Sequence, residues 1–162
     1  MDAKIIQKIA LKEWASVILA LETGQQKILY RKGGIIEKHG EFEIEAREFY
    51  LFPTFIHQNK DRLQPQYASL IDKATAKYQP EAKSHLISLH AKIVDIARPE
   101  NMDNIKALAH RSIWNEAHLV RTWEWKPEKP LYILTVEVEA LAEPFVVEDR
   151  PEYGGCVSWI TL

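Results

Sequence analysis

The first residues that could do chemistry are Lys27, Arg31 and Lys32, which lead into Gly33-Gly34 with no acid before Glu37. Paired glycines let successive backbone N–H groups converge on an anion, and the preceding cations supply charge to hold it. The same residues also suit a solvated hairpin turn whose glycines serve positive φ. The GxxxxGK[ST] and GxGxxG spacings are both absent, so this is not a phosphate-loop fingerprint. Arg47-Glu48 abuts an aromatic run, Phe49–Phe55. Neighbouring strand residues point to opposite faces, so one of the two is expected inward, where a charge needs a partner. It would serve as a structural ion pair or as a catalytic carboxylate. His57 follows at the exit of that run, as a base, a ligand or a plain surface residue.

Late in the chain lies a dense aromatic set: Trp114, Trp123, Trp125, Tyr153 and Trp159. Most of it should be core. An indole left at a rim beside Arg121 or Arg150 could stack a nucleobase. The Tyr153-Gly154-Gly155 turn could add backbone donors. His39, His85, His90, His110 and His118 show no HExxH or Cys/His spacing, which argues against zinc. Cys156 has no thiolate-activating neighbour in sequence, and Ser158 lacks a His/Asp partner at a recognisable spacing. No metal and no cofactor are expected. The candidate ligand-binding set is Lys27, Arg31, Lys32, Arg47, Glu48, His57, Trp125, Arg150 and Tyr153.

These residues must be positioned by a sheet. Asp2 can cap a first helix carrying Ile5, Ile6, Ile9 and Ala10. Ala15–Leu21 is almost wholly apolar; its length favours a buried strand, with a helix as the rival. A turn at Glu22-Thr23-Gly24 would pair it back onto Lys27–Arg31 as a hairpin. Glu41–Glu45 alternates as a half-buried strand. Phe49–Phe55 holds Pro53, which lacks a ladder donor, so that strand is expected at an edge or to end near the proline. Residues 59–66 read as a loop. Tyr67, Leu70, Ile71, Ala74 and Tyr78 mark a helix. His85–Ala97 reads as a strand, Asp103 and Ser112 as caps of two short helices, Leu131–Leu141 as the clearest strand. Phe145–Val147 and Cys156–Leu162 complete the set. The expected fold is α+β: a mostly antiparallel, curved sheet or small open barrel with two to four flanking helices.

At 162 residues the chain is expected to form a single domain, 1–162. It is 46% hydrophobic and 27% charged, as ordinary globular proteins are. A net charge of −2 gives no global drive onto duplex DNA or an anionic membrane, so any basic site must be local. One cysteine excludes an intrachain disulfide. Neither a secretory leader nor an apolar run of about 18 residues is visible, so a soluble, cytoplasmic location is expected.

LYRKGG at 29–34, REFYLFPTFIHQ at 47–58 and the tail from WEWKPEKPLYILTVEVEAL to RPEYGGCVSW resemble a bacterial family of small domains of unknown function over nearly the whole chain. The resemblance implies that 47–58 and 150–159 are signatures of that family; it implies no activity. Gly24, Lys27 and Arg31 also echo, more loosely, the Gly…Lys…Glu-x-Arg motif of pseudouridine-synthase-associated RNA-binding barrels, with Leu29 where the acid should stand.

The leading expectation is a module that binds a nucleotide or single-stranded nucleic acid, through the early cations and the late aromatic–arginine set. One alternative is a protein-interaction module whose edge strand 49–55 pairs with a partner. Another is a metal-dependent hydrolase or nuclease using Glu43, Glu45 or Glu48 with Lys32 or Arg47. No Asp…Glu-x-Lys arrangement supports that last alternative.

Overall fold

A computed structural model describes residues 8–33 and 42–162. Its first strand, β1 (Ile9–Trp14), runs into the first helix, α1 (Ala15–Glu22), without a loop. The junction is held by side chains. The Glu13 carboxylate accepts from Trp14 N at 2.8 Å, and the Gln58 amide oxygen accepts from Ser16 N at 3.1 Å. Both satisfy backbone donors that a helix start leaves without partners.

Four more strands and three more helices follow before the last strand: β2 (Ile28–Lys32), β3 (Glu48–Thr54), α2 (Ser69–Tyr78), β4 (Ser84–Ala97), α3 (Met102–Ala107), α4 (Glu116–Glu124), β5 (Leu131–Glu148) and β6 (Trp159–Thr161). The strands form one six-stranded sheet in the order β2-β5-β4-β3-β1-β6. All pairings are antiparallel except β1 with β3. The α+β, mostly antiparallel expectation holds.

Several local expectations do not. Ala15–Leu21 is helical and buried on every side, so its apolar residues carry no period that could separate helix from strand. Gly24, at φ +75°, terminates this helix, its N–H donating to Leu21 O at 3.2 Å. The 15–31 hairpin is therefore absent, and β2 pairs with β5 instead. Ile9 and Ala10 belong to a strand; the rest of the expected first helix lies outside the described residues. Phe42 and Ile44 do turn toward the core, but residues 42–46 form no ladder. The 49–55 segment is an interior strand, with β4 on one side and β1 on the other, and of the two alternatives read from Pro53 it is the second that holds: the strand ends at Thr54, one residue past the proline. Pro53 is tolerated because the β4 ladder stops at Tyr50↔His90, so β3 is paired on one side only at the proline. Asn101 and Asn115, not Asp103 and Ser112, cap α3 and α4; they accept from Asn104 N at 2.9 Å and His118 N at 2.8 Å. Leu131–Leu141 and Phe145–Val147 merge into the single strand β5.

The main core packs one face of the sheet against the helices; Leu11, Ile18, Leu29, Phe49, Leu51 and Leu134 are among its fully buried members. A smaller cluster, built on Ala10, Phe52, Ile87, Tyr153 and Ile160, covers the opposite face. A bulge between Ile87 and Leu89 shifts β4 from one face to the other. That is why both residues are buried, each in a different cluster.

Curvature brings the two ends of the sheet together. Arg31 sits on β2, at one edge, yet donates to Lys12 O on β1 at 3.1 Å and to Ser158 Oγ, just before β6, at 2.7 Å. Phe42 fills the same seam, packing on Tyr132 of β5 at 6.3 Å and stacking on Trp159 of β6 at 6.0 Å. Among the described residues no backbone ladder joins β2 to β6, so the sheet is open, and side chains bridge the gap.

Candidate functional site

The ends of β1, β2 and β3 meet the tail loop 153–158 at one mouth of this curved sheet. Between them lies a cleft of about 640 Å³. Its floor is an ion pair. Arg31 Nη1 lies 3.3 Å from Glu13 Oε2, with side chains 16% and 6% exposed. Both belong to the floor because the seam seals them. Burial pushes the Glu13 carboxyl above its ordinary value, and the Arg31 charge opposes that shift without cancelling it.

Lys12 and Lys32 stand on either side. Lys12 Nζ donates to Gly155 O at 3.0 Å, which ties β1 to the tail loop. Lys32 Nζ donates to Thr122 O at 3.3 Å and Trp123 O at 2.8 Å, at the C-terminal end of α4. A cation there meets the negative end of the helix dipole. Its ammonium is pushed below its usual value by burial, with Glu128 opposing. Two further groups form the far wall. His85 Nε2 lies 2.8 Å from Asp149 Oδ1, and its ring packs on Phe52 at 4.4 Å. Tyr153 packs on Phe52 at 5.2 Å, and among the described residues its buried hydroxyl has no hydrogen-bond partner. Around the cleft the lining holds Lys12, Arg31 and Lys32 against the acids Glu13 and Asp149.

Of the nine candidates read from sequence, Arg31, Lys32, His57, Trp125 and Tyr153 line this cleft. Trp125 is the indole left at the rim, 45% exposed, while Trp114 and Trp159 are buried. Arg150 lies outside the wall, over the Tyr153 ring at 5.9 Å. Lys27, Arg47 and Glu48 are elsewhere and exposed. The expectation that Arg47 or Glu48 faces inward fails because β3 begins at its exposed end, with Glu48 opposite Lys92. Gly34 lies outside the described residues, so the paired-glycine nest does too. The spacing of the sequence does not single out Lys12, Glu13, His85 and Asp149 as site residues. A signal for the first two exists: adjacent charges inside the apolar run IALKEWASVILAL. The second pair is joined across 64 residues by the β4–β5 ladder, which places Ser84 opposite Glu148; no local pattern announces that.

No helix of the described residues is long and apolar enough to cross a membrane. Among the described residues no group of three or more His, Cys, Asp or Glu could hold a metal ion. Among curated proteins none matches the chain. Its fold is similar to that of a mutant of the ZmASCH protein from Zymomonas mobilis, with a TM-score of 0.51 over 89% of each chain at 8% identity. Residues 10–162 match the family described as a domain of unknown function, DUF1802, and the chain belongs to that family.

Proposed function

We propose that the cleft binds a nucleotide or a single-stranded nucleic acid. The observation that carries this reading is an exposed indole, Trp125, on the rim of a cleft that also holds Lys12, Arg31 and Lys32. Cations engage phosphate and flat rings stack bases without demanding a sequence. The size suits the reading, since small-ligand sites occupy roughly 300–1,000 Å³. Fluorescence anisotropy on labelled single-stranded RNA and DNA tests it. Binding should appear at low salt, weaken steeply as salt rises, and fall about tenfold in Trp125→Ala. No binding of RNA, DNA or nucleotides at low salt ends the proposal.

A hydrolytic reading has one observation in its favour: the buried Glu13 carboxyl at the cleft floor, held toward its protonated form. Acid–base catalysts are tuned in this way, though structural ion pairs are too. The exposed Glu45 and Glu48 are off the cleft and give no support. Turnover of a single-stranded substrate that disappears in Glu13→Gln, with binding retained, would separate catalysis from binding alone. The edge-strand partner mode for 49–55 is weakened, because β1 pairs along the strand and β4 pairs its start.

A further inference from the structure

The cleft has two aromatic ends with cations between them. At one end Trp125 follows α4, whose last carbonyls hold Lys32. Lys32 adjoins Arg31 on β2, and Arg31 crosses the seam to the carbonyl of Lys12. Lys12 is the cross-strand partner of Phe52 in the β1–β3 ladder. Phe52 in turn backs the His85 ring, whose edge is fixed by Asp149. Followed along the chain, across the seam and through the ladder, the elements that carry them come in the order indole, three cations, then phenyl and imidazole. Among the described residues Trp125 makes no ring contact with His85 or Phe52. The His85 side chain is 22% exposed and lines the cleft. With one ring edge bound to Asp149, the ring tilted on Phe52 at 4.4 Å and at a T-shaped angle to Tyr153 at 6.2 Å, it is a fixed surface rather than a free rotor.

From this order we infer that the occupant of the cleft is a single-stranded oligonucleotide of at least two nucleotides, not a mononucleotide. One base stacks on Trp125, a second packs at His85, and the phosphodiester linking them runs past Lys32, Arg31 and Lys12. Histidine serves as a stacking surface for unpaired bases as other aromatic side chains do. A mononucleotide brings one base and reaches one platform only. This inference rests on the nucleic-acid reading above and adds the minimum length of the ligand.

Competition against a labelled single-stranded RNA hexamer tests it with the unaltered chain. The competitors are a nucleoside monophosphate and a dinucleoside monophosphate. The dinucleotide has the second base but less charge, so greater potency cannot come from electrostatics. We expect it to displace the probe at about one-tenth the concentration. His85→Ala, checked for folding by circular dichroism, should weaken the hexamer about tenfold. Equal potency of the two competitors overturns the two-platform inference while the nucleotide-binding reading stands. So does undiminished hexamer binding by folded His85→Ala. Failure of the hexamer to bind at low salt removes both. If His85→Ala does not fold, the competitor comparison decides alone.

Discussion

His118 is a titratable residue whose burial ties stability to pH. It lies between Trp14 and Trp114, at 5.2 Å and 6.4 Å. Burial, then the charges of Arg62 and Arg121, lower it from 6.5 to about 4. On acidification the unfolded chain therefore takes up this proton first. The stability tied to the neutral ring is complete above 6.5 and is lost as pH falls toward about 4. His118→Phe should flatten that acid limb by on the order of 2 kcal/mol, allowing for partial exposure. Urea midpoints measured across the window check this; parallel curves for the two proteins would remove His118 as the cause. Glu13 works in the opposite sense. Its raised carboxyl contributes most when protonated, below its ordinary 4.5, and that contribution fades as pH rises through the folded value. The stability deficit of Glu13→Gln relative to the native chain should therefore narrow as pH rises, in the same urea series.

At the scale of elements, legibility follows periodicity. The α2 stripe and the β4 and β5 alternations place those elements, because one side of each faces solvent and leaves a pattern. No pattern is available for α1, which has no solvent face among Ala15–Leu21. Gly24 is the usable clue, as a glycine just past a helix end. It has open space around the missing Cβ but a φ of +75°. Gly24→Ala should thus cost about 1 kcal/mol through backbone strain alone, with the melting temperature lowered and the fold intact. An unchanged melt would mean that the helix end relaxes. Asn115 has two tasks: it caps α4 and its amide donates to Asp61 O at 2.6 Å. Asn115→Ala should cost more than a simple cap, above about 1 kcal/mol. The measurement is a denaturation midpoint against Asn101→Ala, which loses the α3 cap.

At the scale of the whole molecule, the fold closes a seam with side chains where it has no backbone ladder. The ladder partners of β2 and β6 are distant in sequence, Leu131–Thr135 and Ile9–Leu11, and the meeting of opposite sheet edges depends further on accumulated twist and bulges. This is why the sequence names Arg31, Lys32, His57, Trp125 and Tyr153, which line one cleft, together with Lys27, Arg47, Glu48 and Arg150, which do not line it. The four outside the cleft are charged and near strands, which is all that spacing reports. Arg31 spans the seam with three partners: Lys12 O, Glu13 and Ser158 Oγ. Arg31→Met should destabilise by about 3 kcal/mol at neutral pH, because the buried Glu13 carboxyl loses the charge that offsets its burial and a backbone and a hydroxyl acceptor lose this donor. Hydrogen exchange should then quicken in β1 and β2 ahead of β4 and β5. Uniform loss of protection would show that the seam is no separate unit.

The tail loop that closes the cleft carries the only thiol of the chain, Cys156, exposed on the cleft wall. A maleimide dye will therefore attach at one position without any engineering, and at a place where an occupant would shield it. The rate of that coupling becomes a gauge of occupancy, and a bulky adduct there becomes a plug.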